Sequence, residues 1–195
     1  LEVLVSGMQS GIKTFINSDT TLERFVNQYA MTKYQFREWG KFLCQENEFG
    51  FVNLRLEHFY GPGDDPSKFT THVIQSCSSQ TKELLLTKGD QLRDFVYIDD
   101  VVSGFGSILN NIDLFCNGFY QFDLGSGKAI SIREFAILVK RLTASNTTLR
   151  FGSIPYRSNE PMFSEADTSK MEKLGWSRKF SLEDGLKLTI DRGLF

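Results

Sequence analysis

Phe51-Val52-Asn53-Leu54-Arg55-Leu56 is the stretch on which the fold turns. Val52, Leu54 and Leu56 alternate with Phe51, Asn53 and Arg55, which is the side-chain period of a strand. Upstream, from Asn27 to about Phe49-Gly50, runs a helical pattern that carries Phe36, Trp39 and Leu43 on the side expected to face a sheet. Before that, Lys13-Thr14-Phe15-Ile16-Asn17 reads as a short strand, and Ser18-Asp19-Thr20-Thr21 leads from it into a loop. Strand, helix, strand in that order is a βαβ unit, and its two strands run parallel. The same alternation continues downstream. Phe69 to Ser76 reads as a helix, and Leu84 to Thr87 and Phe95 to Ile98 as short strands. A helix capped by Asp99 or Asp100 runs to about Asn110, followed by a strand from Phe119 to Leu124 that Gly125-Ser126-Gly127 ends. Ser131-Ile132-Arg133-Glu134 is a capping box for a helix with Ile132, Phe135, Ala136 and Val139 as its buried stripe. Thr148 to Phe151 is a strand, Thr168 to Leu174 a short helix closed by Gly175, and Ser181 caps a last helix. The class is α/β with a largely parallel sheet.

Composition narrows the function. With 195 residues there is enough chain for one sizeable core, so a single α/β unit is expected over 1–195, with a small lobe drawn mainly from 67–86 and 148–174. The net charge of −2 and the absence of a long basic run argue against nucleic acid as a partner. No apolar run approaches the roughly 18 residues of a membrane span, and no signal peptide opens the sequence, so a cytoplasmic protein is expected. Cys44, Cys77 and Cys116 are scattered and show no ligand spacing with His58 or His72, so no metal site is expected. Leu1 to Ile12 reads as the end of an amphipathic helix closing at Ser10-Gly11 and leading straight into a strand. A sequence that opens in this way reads as part of a longer chain.

The chemistry centres on Tyr29-Ala30-Met31-Thr32-Lys33, which places a phenol and an ammonium four residues apart at the start of a helix and so on one face. A lysine charge beside a tyrosine hydroxyl favours the phenolate, so the Tyr29 pKa is expected to fall towards neutrality. A tyrosine that exchanges a proton readily suits carbonyl–alcohol interconversion. Five further signals stand in order around it. They are Ser18 at a strand end, Arg55 to Asp64 with the turn Gly61-Pro62-Gly63-Asp64, Gly89 to Asp100, and Phe122 to Gly127; Asp167 to Trp176 closes the series.

These motifs, in this order, resemble the extended short-chain dehydrogenase/reductase superfamily of nucleotide-sugar epimerases, dehydratases and reductases. The resemblance covers essentially the whole chain and corresponds to roughly the C-terminal two-thirds of such an enzyme. It implies a Rossmann-like parallel sheet whose N-terminal glycine-rich half is absent here, continued by a small C-terminal substrate-binding lobe. The family's Gly-x-x-Gly-x-x-Gly pyrophosphate turn does not occur in this sequence. The resemblance makes Tyr29 the proton donor or acceptor at the sugar oxygen. Lys33 supports the phenol and hydrogen-bonds the ribose of NAD or NADP, and Ser18 holds the reacting oxygen, with Thr20 the alternative hydroxyl. Tyr60, Gly61 and Pro62 shape the loop at the nicotinamide end. Arg93 corresponds to the diphosphate-binding arginine, and Arg157 with Glu160 to an Arg-x-x-Asp pair on phosphate and ribose. His58 stands where the family's Arg-x-x-Asn-x-Tyr-Gly-Pro motif has asparagine, at a phosphate contact.

Dehydratases of the family carry Asp-Glu after the strand serine or threonine, whereas this chain has Asp19-Thr20; without that glutamate, dehydration lacks its base. Leu56 to Asp65, Ser67-Lys68-Phe69 and the run Asn27 to Phe36 look, more narrowly, like the CDP-paratose and CDP-abequose synthases. That resemblance implies NAD(P)-dependent reduction of a CDP-linked 4-keto-deoxyhexose for lipopolysaccharide O-antigen. A nucleotide-sugar 4-epimerase and a non-catalytic or remnant sugar-nucleotide binder are the alternatives. Homodimerisation through the Tyr–Lys helix is also implied, with Phe36, Trp39 and Leu43 serving either that contact or the core.

Overall fold

A computed structural model of the chain describes residues 1–192. In chain order the elements are α1 (Glu2–Gln9), β1 (Thr14–Thr20), α2 (Gln28–Glu46), β2 (Gly50–Leu56), β3 (His58–Tyr60), α3 (Phe69–Ser78), β4 (Glu83–Leu86) and β5 (Leu92–Tyr97). There follow α4 (Ile98–Asn110), a 3-10 turn (Ile112–Phe115), β6 (Gly118–Leu124), β7 (Ala129–Ser131), α5 (Ile132–Leu142), β8 (Thr148–Phe151), α6 (Ser169–Lys173) and α7 (Leu182–Asp191). They form a mixed α/β fold whose strand ladders are parallel, apart from the antiparallel pairing of β5 with β7. This is the Rossmann-like class expected from the alternation of elements.

The chain divides into two compact units. The first holds Leu1–Glu57, Val102–Leu124 and Asp167–Ser177; the second holds His58–Val101, Gly125–Ala166 and the described residues from Arg178 onward. Residues 67–86 and 148–166 therefore belong to the second unit and 167–174 to the first.

In the first unit β2 lies between β1 and β6. Its residues from Gly50 to Leu54 are all buried, so the alternation read from its sequence is not an inside–outside alternation. A central parallel strand is covered on both faces, and Phe51 is as buried as Val52. Phe51 stacks on Phe15 at 5.6 Å and on Phe119 at 5.9 Å, a row of rings running across the three strands. Phe36 meets Phe15 edge-on, and Leu43 joins the same cluster. Trp39 does not: it is 47% exposed, beside Phe42 at 50%. The buried stripe of α2 is Ala30, Gly40 and Cys44, and Trp39 lies about 100° around the helix from Gly40. Gly40 admits the Phe51 ring, whose carbons would lie 2.6 Å from a Cβ at that position.

β1 runs three residues further than its apolar stretch, because its partner does. Ser18, Asp19 and Thr20 sit opposite Leu54, Arg55 and Leu56 in the ladder. The polar run that reads as a loop is strand, and Asp19 and Thr20 in it are buried.

The second unit contains β3, β5 and β7 in one sheet and β4 with β8 in another, packed on α3, α5 and α7. Val73, Cys77, Phe95, Phe135, Val139 and Leu186 are at the centre of its core. The capping box at Ser131 forms in full, with Glu134 closing on the Ser131 backbone. Asp100 is in the first turn of α4, and its carboxylate accepts from the backbone N–H groups of Lys179 (2.8 Å) and Phe180 (3.1 Å). It ties two segments of the unit together. Among the described residues no helix is long and apolar enough to cross a membrane, and no cluster of acidic, histidine or cysteine side chains has the makings of a metal site.

Candidate active site

The first unit brings Ser18, Tyr29 and Lys33 together. Asn27 caps α2 by accepting from the Ala30 N–H at 2.8 Å, which starts the helix one residue before Tyr29. The four-residue step then puts Lys33 on the side of Tyr29, with its ammonium 5.6 Å from the centroid of the phenol ring. The ammonium donates to the Ser18 carbonyl at 2.6 Å, linking the helix to the end of β1. Ser18 is exposed there and Tyr29 is 53% exposed, so both hydroxyls are open to a ligand. Thr20 is buried, and its hydroxyl oxygen accepts from the Leu22 N–H at 3.2 Å, closing the turn after the strand.

The phenol does not titrate as the sequence suggests. Its pKa is raised: partial burial is the larger cause, and the negative charge of Asp19 adds to it. Lys33 spends its short contact on the Ser18 carbonyl rather than on the phenol oxygen, so the expected fall towards neutrality is absent. Tyr29 stands as a protonated acid at neutral pH.

Beneath this face lies a polar network that the sequence did not reveal. Asn17 donates to the Asn53 side-chain oxygen at 2.7 Å, and Asn53 donates to Asp19 at 2.8 Å. Arg37 donates to the same Asp19 oxygen at 2.9 Å. Nearby, Arg55 grips Asp123 with two bonds of 2.6 and 2.5 Å, and the carboxylate raises the arginine pKa further. The available sequence signal was the next four-residue step along α2, from Lys33 to Arg37.

The second unit carries the other candidates. Arg93 is 4% exposed, and its guanidinium donates to Glu160 at 2.8 Å, to the Leu92 carbonyl at 2.9 Å and to the Pro161 carbonyl. Glu160 is thus the partner of Arg93 and not of Arg157, which shares only a backbone turn with it. Arg157 is exposed. Tyr60 was expected beside a cofactor, yet its side chain is core: it is 1% exposed, and its hydroxyl donates to the Leu182 carbonyl at 3.1 Å. Burial drives its pKa far up. Gly61 is needed for packing, since a Cβ there would sit 2.4 Å from an Ile98 methyl, and Pro62 follows it into the turn. His58 is half-buried and meets the Phe95 ring edge-on at 5.9 Å. Asp94 is fully buried, and its carboxylate accepts from the N–H groups of Ser126, Gly127 and Ala166, so the Gly125-Ser126-Gly127 turn hangs on it.

Comparison with known proteins gives a consistent answer. Residues 5–118 match the NAD dependent epimerase/dehydratase family. CDP-abequose synthase of Salmonella typhimurium is 31% identical over 186 residues, covering 91% of this chain and 62% of the relative. Its counterpart in Salmonella muenchen is 36% identical over 182 residues, covering 90% and 61%. The chain therefore spans about three-fifths of the length of these curated relatives. Among solved structures, UDP-glucose 4-epimerase of Thermotoga maritima superposes with a TM-score of 0.82 at 25% identity, covering 97% of this chain and 66% of the other. UDP-glucuronic acid 4-epimerase of Bacillus cereus, in complex with UDP-glucuronic acid and NAD, gives 0.85 at 24% identity and shares the fold, with coverage of 97% and 64%.

Proposed function

Because the chain belongs to the NAD-dependent epimerase/dehydratase family, we propose that it is the proton-transfer and substrate-binding portion of an NAD(P)-dependent reductase of a nucleotide-linked 4-keto-deoxyhexose. CDP is the nucleotide we favour, since the two Salmonella relatives are CDP-abequose synthases, and the pathway is then lipopolysaccharide O-antigen synthesis in the cytoplasm. The observation that carries the reading is the exposed Tyr29 phenol, held protonated, beside Lys33 and Ser18.

The residues present fit one end of a dinucleotide. Lys33 offers an ammonium and Tyr29 a phenol on an open face, as a nicotinamide ribose requires, whereas this sequence holds no glycine-rich turn for the pyrophosphate. When bound, the reduced cofactor supplies the hydride that adds to C4 of the sugar. Ser18 donates a hydrogen bond to the C4 oxygen and holds it towards Tyr29. The Tyr29 hydroxyl then delivers its proton to the alkoxide, completing the alcohol, and the phenolate regains a proton from solvent. Lys33 keeps the helix face against Ser18. A protonated phenol can serve as the acid that reduction needs. A 4-epimerase must first use the phenolate as a base.

In the second unit Arg157 is an exposed cation suited to a diphosphate. Arg93 can take that role only by exchanging Glu160 for substrate. Homodimerisation is proposed through the outer face of α2, where Trp39 and Phe42 stand exposed.

The direct test is Tyr29→Phe in the active protein. Loss of the proton donor should lower kcat by about 10²- to 10⁴-fold with little change in substrate KM. Wild-type turnover by Tyr29→Phe would sink the reading. Consumption of NADPH in step with product separates a reductase from an epimerase, which consumes none.

A further inference from the structure

Asp19 is 2% exposed, a carboxylate buried at the end of a strand whose neighbouring residue, Ser18, is open to solvent. Three donors meet it: the Thr20 N–H at 2.8 Å, Asn53 at 2.8 Å and Arg37 at 2.9 Å. Arg37 is one helical step beyond Lys33 and two beyond Tyr29, on the same side of α2. The network Asn17–Asn53–Asp19–Arg37 therefore joins β1, β2 and α2 where those three elements support Ser18, Tyr29 and Lys33. A largely buried ion pair adds little net stability over well-packed apolar side chains, so stability alone does not account for one at this spot.

We propose that Asp19 and Arg37 are positioning residues: their ion pair clamps the end of β1 to α2, and so sets both the placement of Ser18 against Lys33 and the electric field at the Tyr29 hydroxyl. The inference rests on the reading of Tyr29 as the acid. The charge of Asp19 already contributes to the raised phenol pKa, after burial. Lys33 is also close to the phenol ring, and the other titratable or charged groups on the elements that form this face are Tyr34, Arg37 and Glu38 on α2, Arg24 in the preceding loop, Arg55 on β2 with Glu57 just after it, and Asp123 on β6. Arg24 donates to the Tyr34 hydroxyl at 3.2 Å, and Arg55 is held by Asp123. Removing Asp19 alone leaves Arg37 unopposed and lowers the phenol pKa; removing the charge of Arg37 does the reverse.

The test is a pH titration of the full chain labelled with [13Cζ]tyrosine, followed by NMR, with Tyr29→Phe assigning the Tyr29 signal. No substrate or cofactor is needed. Asp19→Asn should lower the Tyr29 midpoint, while Arg37→Lys leaves it in place. The signals of Tyr60, Tyr97 and Tyr120 report that the fold is kept. An unmoved or raised Tyr29 midpoint in a folded Asp19→Asn protein overturns the proposal. If Asp19→Asn does not fold, Arg37→Gln carries the test: a raised midpoint is expected, and an unmoved one overturns it. The turnover of Tyr29→Phe tests the catalytic reading separately, so the failure of either is recognisable.

Discussion

Single residues here owe their behaviour to neighbours that are distant in sequence. Tyr29 shows it most clearly: the four-residue step to Lys33 is legible in the sequence, but the sign of the pKa shift is not. That sign depends on where the Lys33 ammonium points and on a carboxylate ten residues upstream. Cys44 is a second case. Burial against the sheet pushes its thiol up to about 11, against an ordinary value of about 8.5. The folded thiol stays protonated where the unfolded one ionises, so its stabilising contribution is full below the ordinary value and is lost as pH rises towards about 11. Urea unfolding of the wild type should therefore weaken more steeply between pH 8 and pH 11, in round numbers, than that of Cys44→Ala, whatever their difference at neutral pH. Parallel pH profiles for the two proteins would contradict this.

At the scale of elements, helices were read more faithfully than strands. Capping is local chemistry: Ser131 with Glu134 and Ser181 with Asp184 form as their spacing dictates, whereas α4 begins at Ile98, ahead of the Asp99 and Asp100 expected to cap it. Ser131→Ala removes the acceptor of the Glu134 N–H and should cost about 1 kcal/mol in chemical denaturation. A change below a few tenths would mean that Glu134 alone holds that end of α5. Strand limits are set across the sheet. β1 extends through Ser18, Asp19 and Thr20 because β2 offers Leu54, Arg55 and Leu56 as partners, and the short strands β3 and β7 exist only as pairs with β5. None of that pairing is written in the segment itself.

At the scale of the whole molecule, the order of motifs carried both the family and the class of fold. The second unit illustrates what motif order omits. Its motif arginine, Arg93, is taken up by Glu160, and its motif tyrosine, Tyr60, by the core. The proposed self-association belongs to this scale too. Trp39 and Phe42 meet edge-on at 5.9 Å on the outside of α2, away from its buried stripe. Trp39→Glu should convert a dimer into a monomer in sedimentation velocity without loss of helical circular dichroism. A wild-type protein that sediments as a monomer at micromolar concentration would refute the dimer face.

By itself the sequence determined the alternation of strands and helices, the capped helix starts and the Tyr29–Lys33 face, because each depends on residues within a turn or two of one another. Only the tertiary structure decided that the buried Asp19 pairs with Arg37 near the phenol, that Glu160 belongs to Arg93, and that Trp39 faces outward. Those outcomes depend on which side chains meet across a sheet or between a strand and a helix. Charge, burial and hydrogen bonding act through space, and the distance between two residues along the chain does not report their distance in the fold.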